Sequence, residues 1–240
     1  MQQPPFTPMV KRLVIANVAV WLLFQLLFGR LFDWNIVGNF GLVPYSVLME
    51  FKLWQIFSYM FLHGGVLHLP FNMLMLWFIG SELELKWGSR FFLTYYLVCG
   101  VGAALIYLAV YTIFFMVGFR LEMAFVPVIG ASGAVFGLLL AYGILFGERI
   151  LYFMLLFPMK AKIFVLIIGL FELVMVLGGG QSGVANLAHL GGLISGFLFL
   201  WGSARWSSDQ RKKRRKRNGP KLHLVIDNDQ PDDDSKKYWN

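Results

Sequence analysis

Charge and cysteine are what this 240-residue chain has least of. Only 14% of its residues are Asp, Glu, Lys or Arg, while 58% are hydrophobic. An ordinary soluble domain is about one-quarter charged. The mean hydropathy is +0.65. So few ions cannot keep the whole surface in water, which excludes a cytosolic enzyme and a disordered chain. Cys99, the single cysteine, excludes a disulfide scaffold and reads as a small packing residue inside an apolar run. There is no His-Glu-x-x-His, no thiolate cluster and no carboxylate beside the histidine motifs, so neither a metal nor another cofactor is expected. The lack of an internal repeat speaks against a transporter built from repeated halves.

Apolar length is what the chain does have. A spanning helix needs about 20 largely apolar residues. Candidate spans run over 10–28, 67–83, 91–115, 131–146, 163–177 and 185–203. This predicts an all-α, polytopic membrane protein: a six-helix bundle over 10–206, after a short N-terminus (1–9) and before a basic, disordered tail (207–240). The first run has no small-residue cleavage site at its end, so it reads as an uncleaved span. The fourth and fifth are short and glycine-bearing, which suits helices shielded by protein.

Basic residues orient the bundle. With the N-terminus inside, Lys11, Arg12, Lys86, Arg90, Arg149, Lys160 and Lys162 share its side, while Arg30, Lys52 and Arg120 face out. Both termini are therefore expected in the cytoplasm, and a bacterial inner membrane is the expected location. Residues 203–240 hold eleven Lys/Arg and six Asp. The cation run 211–217 reads as a retention signal attracted to anionic lipid. No folded module surrounds it, so a nucleic-acid partner is not expected. The outer connection, about 29–66, carries Trp34, Phe40, Trp54, Phe57, Tyr59 and Phe61, suited to the membrane interface.

Polar groups inside lipid are costly and point to function. Three sets occur: His63 to Asn72, Gly130 to Gly137 and Ala188 to Gly196. His68 and Asn72 are four residues apart, on one helix face. The second, fourth and sixth spans run in the same direction. His68/Asn72, Ser132 and His189 each fall near the start of one, hence at one depth. The chemistry these residue types permit is acyl transfer. A serine hydroxyl needs a base to take its proton, and histidine is the usual one. The Asn72 amide, a His68 N–H and the Ser132 backbone N–H could serve the developing oxyanion. No carboxylate lies in any of the three segments, so catalysis by a dyad is expected.

These segments resemble the rhomboid family of intramembrane serine proteases: Ser58-Tyr59-Met60-Phe61-Leu62-His63 with His68 and Asn72, then Gly130-Ala131-Ser132-Gly133, then Ala188-His189 with its trailing glycines. The likeness covers about 10–206. It implies Ser132 as nucleophile, His189 as general base, and Asn72 and His68 in the oxyanion hole. His63 matches a structural histidine, and Phe136 an aromatic position, often Tyr, that packs on the imidazole. Many members carry Trp-Arg where this chain has Trp54-Gln55. The implied substrates are transmembrane segments of membrane proteins. The alternative is a non-catalytic bundle that binds client helices. Glu172, inside the fifth span, reads as a packing residue facing another helix, or as a regulatory or proton-handling group.

Overall fold

The computed structural model describes residues 4–119, 121–153, 157–178 and 183–218. Arg120, counted above among the outer cations, and the acidic end of the tail lie outside the described residues. The described chain is mainly helical. Its first helix, α1 (Pro8–Leu31), has Pro8 at its opening turn and winds as a π-helix over Val20–Phe28. The N–H groups of a first turn have no partner within the helix. Here Glu84, far along the chain, accepts from the backbone N–H groups of Met9 and Val10, both at 2.9 Å, and from the Thr7 hydroxyl.

Three short helices, α2 (Ile36–Phe40), α3 (Pro44–Leu48) and α4 (Gln55–Ser58), occupy the aromatic connection. The connection is ordered by its own polar groups. Gln55, fully buried, receives the Val43 N–H at 3.0 Å and donates to the carbonyls of Gly38 and Asn39. The amide thus ties the loop together without an ion pair where many rhomboids carry arginine. The Trp54 indole adds a bond to Asn39 O at 2.9 Å.

Next come α5 (His68–Met75, continuing through a π turn Leu76–Gly80 into Ser81–Trp87) and α6 (Ser89–Met116). They are separated by Gly88, whose φ of +79° is open to glycine at little cost. One face of α6 buries Phe92, Tyr95, Tyr96, Cys99, Ala103 and Tyr107, the i, i+3, i+4 stripe of a core helix. Helix α7 (Ser132–Leu145) follows, then a hairpin of β1 (Ile150–Phe153) and β2 (Phe157–Lys160) in register Ile150 to Lys160. The all-helical expectation overlooked this hairpin. Helices α8 (Ala161–Gly178) and α9 (Gly183–Asn218) complete the order.

Among the described residues, four helices are long and apolar enough to cross a membrane: α1, α6, α8 and α9 over Gly183–Ser208. This is a multi-pass, helical membrane protein. The other two expected spans are present as helices but do not meet that measure. Helix α7 has 14 residues, about 21 Å at 1.5 Å per residue. The end of α5 carries Glu82, Glu84 and Lys86. In the most apolar stretch, 39% of α6 and 44% of α9 are buried, against 11% of α1 and of α8; α6 and α9 are therefore central and α1 and α8 peripheral.

The chain divides into a compact unit, 1–202, and a second unit from 203. The described part of the second unit is helical to Asn218, beyond the end expected at 203. Lys and Arg are good helix formers, and cations are favourable at a helix C-terminus, so the basic run extends a helix.

Candidate active site

Ser132 opens α7, His68 opens α5, and His189 lies in the second turn of α9. Glycine lets these starts converge. A Cβ on Gly192 would stand inside contact distance of the Gly133 carbonyl oxygen, and one on Gly196 would stand 3.3 Å from Gly137 Cα. The α7 and α9 backbones thus touch through Gly133/Gly137 and Gly192/Gly196, in the manner of small-residue packing in membranes. Beside that contact, Ser132 Oγ and His189 Nε2 are 2.8 Å apart. Phe136 stacks on the His189 ring with centroids 4.2 Å apart and planes within 8°. The stacking face expected of the aromatic position is kept without the tyrosine hydroxyl.

His68 flanks the same point. Its Nδ1 accepts the Gly64 N–H at 3.1 Å, so the proton of the neutral ring belongs on Nε2. That nitrogen faces Gly130, where a Cβ would meet it at 2.9 Å and Ser132 Oγ at 3.6 Å. Gly130 has φ +126°, so both its conformation and the His68 ring exclude a side chain. Its N–H is fixed by Tyr59 O at 2.9 Å, and the Tyr59 hydroxyl is anchored on Gly100 O at 2.7 Å. Asn72 is buried, but its amide donates at 2.9 Å to His68 O on its own helix. Of the two expected oxyanion donors, His68 Nε2 lies across Gly130 from the serine, while the Asn72 amide has one N–H on His68 O and a second left to donate.

His63 is fully buried, and its backbone N–H and C=O pair with the Gln25 side chain at 3.0 and 2.7 Å. Burial, then the neighbouring His68, pushes its imidazole down to about 4. A ring so placed is uncharged at neutral pH, and it is the residue's backbone that holds α1 to the loop.

One group near His189 escaped the reading of the motifs. Glu172 reaches in from α8, with Oε1 3.2 Å from His189 Nδ1. The Asn186 amide donates to its other oxygen. It does face another helix, but it also lies against the imidazole. The dyad expectation considered carboxylates only within the three motif segments, and Glu172 stands outside them. Its solitude in an apolar helix was the available signal, together with Asn186 on the same face of α9 as His189. Among the described residues, no group of three or more His, Cys, Asp or Glu could hold a metal ion.

Comparison with known proteins adds a family to this geometry. Residues 50–206 match the model of the Rhomboid domain. The chain is 31% identical over 164 residues to the rhomboid protease GluP of Bacillus subtilis, covering 66% of this chain and 28% of GluP. To RHOMBOID-like protein 4 of Arabidopsis thaliana it is 36% identical, over 66% of this chain and 36% of that protein. To the rhomboid protease AarA of Providencia stuartii it is 32% identical, over 78% of this chain and 69% of AarA. The chain thus spans only about a third of the first two relatives.

Proposed function

Because the chain belongs to the rhomboid family, we propose that it is an intramembrane serine endopeptidase acting on transmembrane segments of other membrane proteins. The observation that carries this reading is the 2.8 Å contact between Ser132 Oγ and His189 Nε2. Ser132 Oγ attacks the scissile carbonyl carbon as its proton passes to His189 Nε2. The carbonyl oxygen becomes an oxyanion, received by the His68 Nε2–H and the free backbone N–H groups at the start of α7. The C–N bond then breaks as His189 returns the proton to the leaving amine. Water, deprotonated by the same nitrogen, hydrolyses the acyl-enzyme. The Asn72 amide, with one N–H on His68 O, joins the oxyanion hole through its second N–H.

The family reading also supplies the frame: six crossings, α5 and α7 completing the set, in a bacterial inner membrane with both termini cytoplasmic and the basic segment against anionic lipid. The starts of α5, α7 and α9 then form a layer just below the outer surface. A scissile bond reaches that layer only as extended backbone, and unwinding a helix in lipid leaves N–H and C=O groups without partners. Preferred substrates are therefore spanning helices with Gly, Pro or small polar residues near the outer end, cut beside a small residue.

The test reconstitutes the protein with a model spanning helix in which a Gly-Ala pair is moved stepwise from outer to inner end, and maps cleavage by mass spectrometry. Cutting confined to the outer two turns, and lost in Ser132→Ala, is the expected result. Turnover by Ser132→Ala above a no-enzyme control would refute the serine mechanism, and no cutting by the folded wild type would favour a helix-binding bundle. Equal cutting at every depth would refute the orientation.

A further inference from the structure

A carboxylate in an apolar membrane helix is expensive unless something uses it. Glu172, the one acidic residue of α8, is 6% exposed. Its polar neighbours both come from α9: His189 Nδ1 at 3.2 Å from Oε1, and the Asn186 amide on Oε2. Asn186 and His189 are three residues apart, on one helix face. Elsewhere Glu172 borders an apolar cavity of about 380 Å³ lined by Phe136, Phe164, Ile167 and Phe171, which offers no competing partner. The His189 ring is therefore held on three sides, by Ser132 on Nε2, Glu172 on Nδ1 and Phe136 on one face.

We propose that Glu172 is a positioning residue for His189, held by Asn186, so that the working unit is Ser132–His189–Glu172 rather than a pair. This rests on His189 being the general base. Accepting from Nδ1–H would hold the tautomer whose Nε2 lone pair faces the Ser132 hydroxyl. When Nε2 takes the serine proton, the carboxylate stabilises the resulting imidazolium, while the proton on Nδ1 stays there. In the resting arrangement the Nδ1–Oε1 contact is not aligned as a hydrogen bond. A turn of the ring or the flexible carboxylate closes it, as catalytic bonds tighten with substrate bound. The titratable groups facing His189 are Ser132 from α7, His68 from α5 and Glu172 from α8; His189 itself faces Glu172 from α9.

The experiment measures kcat, KM and the pH profile of kcat/KM for wild type, Glu172→Gln, Glu172→Asp and Asn186→Ala, with fluorophosphonate labelling of Ser132 in each. A fully aligned carboxylate is worth about 10,000-fold, so an off-axis one predicts a kcat loss of about 10- to 100-fold in Glu172→Gln with KM little changed. The acidic limb of the profile should move to lower pH, because an imidazolium formed during the reaction loses an opposite charge. Glu172→Asp should recover part of both effects, and Asn186→Ala should show a weaker loss of the same kind. A merely structural role would not move the limb. Equal losses in Gln and Asp variants with the limb in place would overturn the proposal, as would full activity in Glu172→Gln. If Glu172→Gln does not fold, Asn186→Ala decides the matter by the same two readouts. Failure of the wild type to label at Ser132 or to cleave would instead sink the protease assignment, so the two failures are distinct.

Discussion

The contact between α7 and α9 and the helix α8 beside it are built in opposite ways. Most of α7 is buried, and it meets α9 backbone to backbone through glycines that leave no room for a methyl group. On α8, by contrast, only Ala161 and Glu172 are buried among the described side chains, while Leu166, Leu170, Val174 and Leu177 are more than half exposed. The rigid pair holds Ser132 and His189 at bonding distance. The looser helix supplies only a carboxylate, on a side chain able to turn. Geometry that must be fixed sits where backbones touch, and the adjustable contribution comes from a helix with most of its surface exposed.

A matched pair of glycine substitutions would sharpen that difference most. Gly192→Ala forces a methyl into the Gly133 carbonyl. Overpacking costs about 1–3 kcal/mol, and against backbone the upper end applies, so a lower Tm and loss of turnover are expected. Gly169→Ala on α8 meets only Leu193 Cδ1 at 3.5 Å, an ordinary contact. Its better helix propensity favours it by up to about 1 kcal/mol, so Tm should hold or rise with turnover retained. Native Tm and activity in Gly192→Ala would break the contrast.

Within the rigid region, the two oxyanion candidates separate next. His68→Ala removes the ring whose Nε2 faces Gly130 and Ser132. Losing one oxyanion donor costs about 100- to 1,000-fold in kcat. Asn72→Ala should cost less, because one of its two amide N–H groups is already spent on His68 O. Steady-state kinetics check the order, and a larger loss in Asn72→Ala would reverse the assignment of the two donors.

The smallest effect belongs to the hairpin leading into α8. Hydrogen bonds from Lys160 and Lys162, and then their charges, hold the Glu148 carboxyl down at about 2. A carboxylate with a depressed value lends stability above its unfolded value of about 4.3, and loses it as pH falls through the folded one. The group is exposed, and such pairs contribute little. Glu148→Gln should leave turnover and Tm at pH 7 within error, with any difference vanishing below about pH 2. A clear loss of turnover would show that the hairpin matters to the site.

The helices and the Ser132, His189 and His68 cluster could be read from sequence because each signal is local. Apolar length marks a helix, a four-residue spacing marks a face, and glycines beside Ser132 and His189 mark close approach. Glu172 could not be placed the same way. A helix apolar all round has no patterned face, so nothing in α8 states its rotation about its axis. The spacing to Ser132 and His189 belongs to no single helix. The paired strands 150–153 and 157–160 were hidden by apolar residues that suit strand or membrane alike, and the extension of α9 by basic residues that suit coil or helix. Crossing number is the feature that apolar length alone does not fix: α7 is an apolar helix, but only 14 residues long.

The central claim is that Ser132 is a nucleophile activated by His189. A fluorophosphonate probe applied to the membrane-reconstituted protein, with the adduct located by peptide mass spectrometry, tests it most directly. The account predicts one adduct, on Ser132, absent from Ser132→Ala and lost in His189→Ala although that variant keeps the hydroxyl. Absence of the adduct from the folded wild-type protein, or equal labelling in His189→Ala, would contradict it.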